Sequence, residues 1–524
     1  MKNIMTPQQL FSMAPSVKIE RSSFDRSHSY KSTLDRAGVL YPFYVDEALP
    51  GDTFNCKVSA FARLATPLKP IMDNMYMDTF FFSVPARLVW DNWQKFMGEK
   101  ENPTDVTEYT IPYVQAPTGG FERGSVYDYL GIPVEVENIK VNALPLRAIN
   151  LIYNQWFRDQ NLISSALTPK GDGPDSYGYY NLYKRAKRPD YFTSCLPWQQ
   201  KGQPIEINIG NEAPVTYQHI QNRPWAGRKA SDGNMSGPTA AVQLDSNSLL
   251  NTGSIQIALD PNGTLFADLS SATTIPINEL REAFQMQRFL ERDARSGTRY
   301  KELIKAHFGV DHPDLNWRPE YLGGGSTPVN FHVVPQTSPT GTYATTPQGN
   351  LSAYGTAMFN NHGFTKSFTE HCYVIGLVMV RAQQSYQSGL NRMWSRSTRY
   401  DHYFPVLSHL GEQPVLNKEL HATGTSTDDL AFGYNERYSD YKYKPSLICG
   451  KLRSSDPQSL DFWHLAQDFS ATPVLNQMFI EENPPVERII AVTDEPQFIL
   501  DAYIGLRCAR PMPLYSVPGM VDHF

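Results

Sequence analysis

The chain has 524 residues, 47 basic against 53 acidic for a formal charge of −6, and 19% of it is charged while 12% is aromatic. That balance excludes a wholesale polycationic nucleic-acid binder but permits a segregated basic surface. Cys56, Cys195, Cys372, Cys449 and Cys508 are odd in number, far apart and without a C-x-x-C pair, which predicts small buried hydrophobes of a reducing compartment and no disulfide framework or zinc knuckle.

The start, "MKNIMTPQQLFSMAPSVKIERSS", lacks the apolar run of a signal peptide, and no 18-residue apolar stretch occurs, so the expected product is cytosolic when made and spans no membrane. Residues 1–35 are polar and lightly basic, and an N-terminal arm is expected over residues 1–50, ahead of one domain over 51–524. From Asp52, "DTFNCKVSAFARL" puts Phe54, Cys56, Val58, Ala60, Ala62 and Leu64 on one parity and polar residues on the other, a half-buried strand in which Phe61 is the exception. "MYMDTFFFSV" from Met75 is apolar on both parities and predicts a strand covered on both faces. "LVWDNWQKFM" predicts a short packing helix through Val89, Trp93, Phe96 and Met97, and a longer helix is expected over Leu144–Arg158 with Pro145 in its first turn.

Between about Lys201 and Thr274 the texture changes to short alternating runs separated by "SDGNMSGP" and "DPNG", which reads as an inserted, exposed module. Helical periodicity resumes at Ile277. "GGGS" at Gly323–Ser326 marks a loop, and "QTSPTGTYATTPQGNLSAYG" a second one. "HCYVIGLVMVRAQQSY" from His371 predicts a strand buried on both faces, and "FILDAYIGLRCARPMP" from Phe498 an alternating one. Strands early and late, with no regular βα alternation, point to an antiparallel sandwich carrying large insertions.

Sites of chemistry are sparse. "HFGVDHPD" groups His307, Asp311, His312 and Asp314, yet the spacing matches no zinc pattern and Pro313 breaks any helix that would align them. His371 and Cys372 are adjacent on a strand and point to opposite faces, so they cannot pair as base and nucleophile. "GGGS" lacks the lysine of a phosphate loop. No catalytic residue, cofactor or metal site is predicted. The basic residues say more. Arg281, Arg288, Arg292 and Arg295 fall on one helical face, able to clamp phosphates or simply to stand in solvent beside Glu282, Glu291 and Asp293. "KRAKRPDYF" (Lys184, Arg185, Lys187, Arg188) and "NRMWSRSTRY" from Asn391 mix cations with aromatics, a combination suited to single-stranded nucleic acid. The closing "PMPLYSVPGMVDHF" is apolar and proline-rich. As a candidate intersubunit contact it offers Tyr515, Val517, Met520, Val521 and Phe524; docking on the chain's own sandwich is the alternative.

"RSSFDRSHSYKSTLDRAGVLYPFYVDEALPGDTF" from Arg21, "YMDTFFFSVPARLVWDNWQKFMGE" from Tyr76, "LPLRAINLIYNQWFRDQNL" from Leu144, "ERDARSGTRYKELIKAHFGV" from Glu291, "RPEYLGGGS" from Arg318 and the ending "VPGMVDHF" together resemble the major capsid proteins of the Microviridae, the small single-stranded DNA phages, in particular the gokushovirus group. The resemblance implies a mainly β fold, an eight-stranded antiparallel jelly roll with large loop and helical insertions. Residues 201–274 would be the surface protrusion at the threefold axes of a T=1 icosahedral shell. It implies a structural, non-enzymatic virion protein, assembled in the bacterial cytoplasm as a homo-oligomer around single-stranded DNA. Minor viral proteins (a DNA pilot protein and internal scaffolding or DNA-binding proteins) and a host surface receptor would be its partners. Arg281, Arg288, Arg292 and Arg295, with Lys184, Arg185, Lys187 and Arg188, then become candidates for DNA-facing or intersubunit contacts. The rival from another class is a carbohydrate-binding or carbohydrate-active β-sandwich, which requires paired carboxylates converging in a cleft.

Overall fold

Runs rich in β-branched and aromatic residues become strands here, and their parity decides which core each side chain enters. The computed structural model describes residues 20–515 except 101, 106–107, 203–204, 206–214, 218–226, 230–254, 258–264, 268–276, 311–316 and 338–348. The strands are β1 (Ser22–Asp25), β2 (His28–Leu34), β3 (Tyr41–Ala48), β4 (Thr53–Leu64), β5 (Met75–Pro85), β6 (Tyr113–Gln115), β7 (Lys140–Asn142), β8 (Val215–Tyr217) and β9 (Gly227–Lys229). They continue as β10 (Ile255–Ile257), β11 (Leu265–Ala267), β12 (Glu320–Pro328), β13 (Asn330–Pro335), β14 (Leu351–Ser367), β15 (Cys372–Ala382), β16 (Glu412–Leu416), β17 (Ala431–Glu436) and β18 (Phe498–Arg510).

Two antiparallel sheets form the expected sandwich. One runs β1-β18-β4-β14-β13, with β2 also paired to β18, and the other runs β12-β5-β15-β3. Their facing sides share one core, to which β4 gives Phe54, Cys56, Val58, Ala60, Ala62 and Leu64, and β18 gives Phe498, Leu500, Ala502, Ile504, Leu506 and Cys508. β15 shows why a strand can be apolar on both parities. Cys372, Val374, Val378, Val380 and Ala382 enter this sandwich core. Tyr373, Ile375, Leu377 and Met379 enter a second one on the opposite side. That second core is closed by residues 86–183, including the buried Trp90 and the helix Leu144–Ile152, which carries Pro145 in its first turn and continues as a wider turn over Tyr153–Phe157. A third, smaller core gathers Tyr191, Phe192, Tyr386, Val415, Leu420, Phe432 and Phe479.

Of the expected arm, residues from Ser22 to Ala48 are strands of the sandwich; β2 registers Leu34 against Phe498, and β3 places Tyr41, Phe43 and Tyr44 in the core. The glycines of "GGGS" correct the loop expectation, since they lie within β12 and pair with β5. A methyl group on Gly324, whose φ is +151°, would stand 2.0 Å from the Thr79 carbonyl oxygen, and one on Gly325 would meet the His362 ring at 2.5 Å. Only glycine lets this strand approach so closely. Leu351–Gly355, read as loop, open β14. Cys449 is exposed, against expectation, while Cys56, Cys195, Cys372 and Cys508 are buried and free. The packing helix is shorter than expected, Trp93–Phe96, and leaves Met97 exposed.

Residues 200–295 make a separate compact unit, wider than the expected insertion at 201–274. Within it β8 pairs β11 and β9 pairs β10, ahead of the helix Ile277–Ser296. Among the described residues no helix is long and apolar enough to cross a membrane.

Candidate interaction surfaces

The basic run Lys184–Arg188 leaves the second core and passes the outer face of β5. There Asp78 is buried, and its Oδ2 receives Arg381 Nε at 2.8 Å and Arg188 Nη2 at 3.1 Å, with Arg185 Nη1 at 3.8 Å. The Arg185 guanidinium also lies 5.5 Å from the rings of Phe80 and Phe157, and burial, with Arg188 beside it, lowers its pKa. Lys187, a candidate for DNA-facing or intersubunit contact, is only 7% exposed in this chain. Its Nζ donates to Gln467 Oε1 at 2.8 Å and to the Phe479 carbonyl at 2.6 Å, and lies 4.6 Å over the Phe479 ring. Burial takes its pKa from 10.5 down to about 8, against the pull of Glu482 and Asp190. Lys184 donates to Asn483. The run is therefore largely a strap between layers of one subunit, with Arg188 alone about half exposed at its side chain.

Arg281, Arg288, Arg292 and Arg295 are all exposed on the helix Ile277–Ser296, with Phe284 and Phe289 exposed among them. Tyr515 is 82% exposed; Val517, Met520, Val521 and Phe524 lie outside the described residues, as do Asp311, His312 and Asp314. Among the described residues no cluster of three or more His, Cys, Asp or Glu side chains could hold a metal ion.

In "NRMWSRSTRY" the cations divide. Arg392 pairs with Glu419 at 3.0 Å, and Arg396 pairs with Asp440 and stacks on Tyr441, whereas Arg399 stands on the surface. That stretch and the residues after it expose Trp394, Tyr400, Tyr403, Phe404, Val406 and Leu410, side chains of the kind that mark an interaction surface where they lie together. Glu419 and Asp440 also line a cavity with Tyr191 and Tyr443, two carboxylates among aromatics. Each carboxylate is held by an arginine. Burial raises the Glu419 pKa.

A further surface was hidden in the strand parity. The four-stranded sheet is covered on its outer side by residues 86–183, but the outer side of the six-stranded sheet is exposed. Across it, register aligns Lys31–Asp501–Phe61–Met358 in one row, Thr33–Ile499–Arg63–Thr356 in the next, and Gly505–Lys57–Gly363 and Arg507–Asn55–Thr365 beyond Tyr503–Ser59. Phe61, 44% exposed, and Tyr503, 54% exposed, are diagonal neighbours on adjacent strands. The signal was the outward parity of β4, where Phe61 interrupts polar residues.

The chain matches the family model "Capsid protein (F protein)" over residues 12–520. It is similar to capsid protein VP1 of Bdellovibrio phage phiMH2K, 49% identical over 99% of this chain and 98% of that one. It is also similar to capsid protein VP1 of Chlamydia phage 1, at 41% identity, and of Spiroplasma virus 4, at 38%, each match covering 97% of both chains.

Proposed function

We propose, from the premise that this chain belongs to the capsid protein (F protein) family of Microviridae-type phages, that it self-assembles into a closed T=1 icosahedral shell enclosing single-stranded DNA. The observation that supports the reading is the set of exposed apolar side chains between Trp394 and Leu410, which a neighbouring copy would cover. The subunit needs no catalysis for this work. Residues 201–274 supply the protrusion at the threefold axes and the surface available for host attachment. Arg281, Arg288, Arg292 and Arg295 face DNA or another subunit, and the segment from Pro511 to Phe524 packs on a neighbour. Minor viral proteins, a pilot protein and internal scaffolding or DNA-binding proteins, assist in the host cytoplasm.

Electron microscopy of nuclease-treated protein co-produced with its genome tests the reading. Uniform closed particles with protected single-stranded DNA are expected; a persistent monomer in the presence of all the phage's proteins overturns it. Deleting Pro518–Phe524 should leave a folded chain that does not close a shell.

A further inference from the structure

Among the described residues the outer face of the six-stranded sheet is not covered by residues 86–183, and its composition is unusual for a face left to water. Among strand residues of outward parity it carries Lys31, Lys57, Arg63 and Arg507 against Asp25 and Asp501, a local excess of two positive charges on a chain of net −6. The Lys31–Asp501 pair is loose, 4.0 Å between well-exposed groups, so it neutralises little. Asp25 accepts from Ser27 through both backbone and hydroxyl, bonds that lower its pKa, and it stands opposite Arg507, whereas Lys57 and Arg63 stand opposite Gly505 and Ile499. Phe61 and Tyr503 project from the same face, and on its flank Tyr354 stacks on His332 at 5.0 Å.

We infer that this open sheet face is the surface on which the packaged single-stranded DNA lies, with Phe61 and Tyr503 stacking on bases and Lys57, Arg63 and Arg507 meeting phosphates. The inference rests on the shell reading above and adds the location of the genome contact. Charge complementarity favours DNA as the occupant: the cations flank the rings in neighbouring rows, the arrangement by which a groove tracks a backbone while aromatics hold bases. A neighbouring subunit fits the face less well, because the centres of protein interfaces are depleted of charge. Here Ser59, Asn55, Thr356 and Thr365 separate the apolar side chains, and Lys57 and Arg63 stand in the rows on either side of the two rings, with Asp501 opposite Phe61. Diagonal neighbours on adjacent strands lie about 7–8 Å apart, so the two rings can serve successive unstacked bases without sharing one.

Ultraviolet crosslinking of native, nuclease-treated particles, followed by proteolysis and mass spectrometry of nucleotide-bearing peptides, locates the contact without any variant. Adducts on the β4 and β18 peptides, at Phe61 and Tyr503, are expected. Particles that protect DNA but carry adducts only elsewhere, for instance on the helix Ile277–Ser296, overturn the inference and leave the shell standing; failure to obtain any DNA-filled particle overturns the shell reading beneath it. A second measurement uses Lys57→Glu, Arg63→Glu and Arg507→Glu together, all at exposed positions. The full-length variant should bind an oligothymidylate with a salt slope smaller by about 2, from about 0.7 per lost single-strand phosphate contact. An unchanged slope counts against the face.

Discussion

Replacing Lys187 with methionine separates a structural cation from a surface one. The folded chain holds this lysine at a pKa of about 8 while the unfolded chain holds it at 10.5, because burial disfavours the ammonium. At about 1.4 kcal/mol per pH unit the burial corresponds to about 3 kcal/mol against the charged form. Below pH 8 both states keep the proton, and the penalty is constant. Between about 8 and 10.5 the unfolded chain binds more protons than the folded one, so stability rises with pH. Buried tyrosines such as Tyr44 and Tyr386, whose hydroxyls burial pushes far upward, act in the opposite direction above pH 10, but both proteins share them. Lys187→Met removes the charge and leaves the Phe479 carbonyl without its donor, a loss of about 1–3 kcal/mol. The two terms nearly offset at pH 7, where the variant should lie within about 2 kcal/mol of the parent. Between pH 7 and 9.5 the parent should gain about 2 kcal/mol relative to the variant, a few degrees in thermal midpoint. Scanning calorimetry or fluorescence-detected melting of both full-length proteins at constant ionic strength reads this difference. Parallel curves across the window would refute the internal role of Lys187.

Gly324→Ala should cost about 2–5 kcal/mol, from a side chain driven against the Thr79 carbonyl at a positive φ, whereas Gly131→Ala, with open space around it, should cost about 1 kcal/mol; denaturant midpoints compare them. Arg147 Nε and Nη2 each lie 2.7 Å from an Asp175 carboxylate oxygen in the second core, so Arg147→Met, which strands that carboxylate, should destabilise by about 3–5 kcal/mol, read by urea unfolding. A thiol reagent added to the native protein should modify Cys449 rapidly and spare the rest, since burial raises the pKa of Cys56 to about 12 and of Cys372 to about 11 and pushes that of Cys195 up as well. Rapid reaction of a second cysteine would contradict the packing described.

What the sequence disclosed and what it hid follow from the range of the interactions involved. β4 and β18 were legible because one face meets the core and the other does not, and β5 and β15 because neither face is left open. β12 was not legible: glycine lowers strand propensity, and its reason for being there is a carbonyl on β5 and a ring on β14, residues far away in the chain. Lys184–Arg188 misled in the same way, since the carboxylate that draws its arginines, Asp78, stands over a hundred residues earlier, as |i−j| is 110 for the Arg188 bond. The outer sheet face was readable only in principle. Its residues come from four or more strands, and no single strand carries more than two of its cations together with a ring.

The pairing of β18 between β4 and the N-terminal strands also sets a timetable for synthesis. β1 and β2 have β18 as their partner, and β4 meets it along one whole edge, with Leu64 opposite Phe498. At about 5–20 residues per second, the stretch between those two residues occupies a ribosome for roughly 20 to 90 seconds. Throughout that interval the nascent sheet has an unpaired edge and an uncovered apolar side, open to strands of other nascent chains made from the same message. Until that last long strand arrives, the places on β4 and on β1 and β2 that β18 will fill stand open to pairing with another chain.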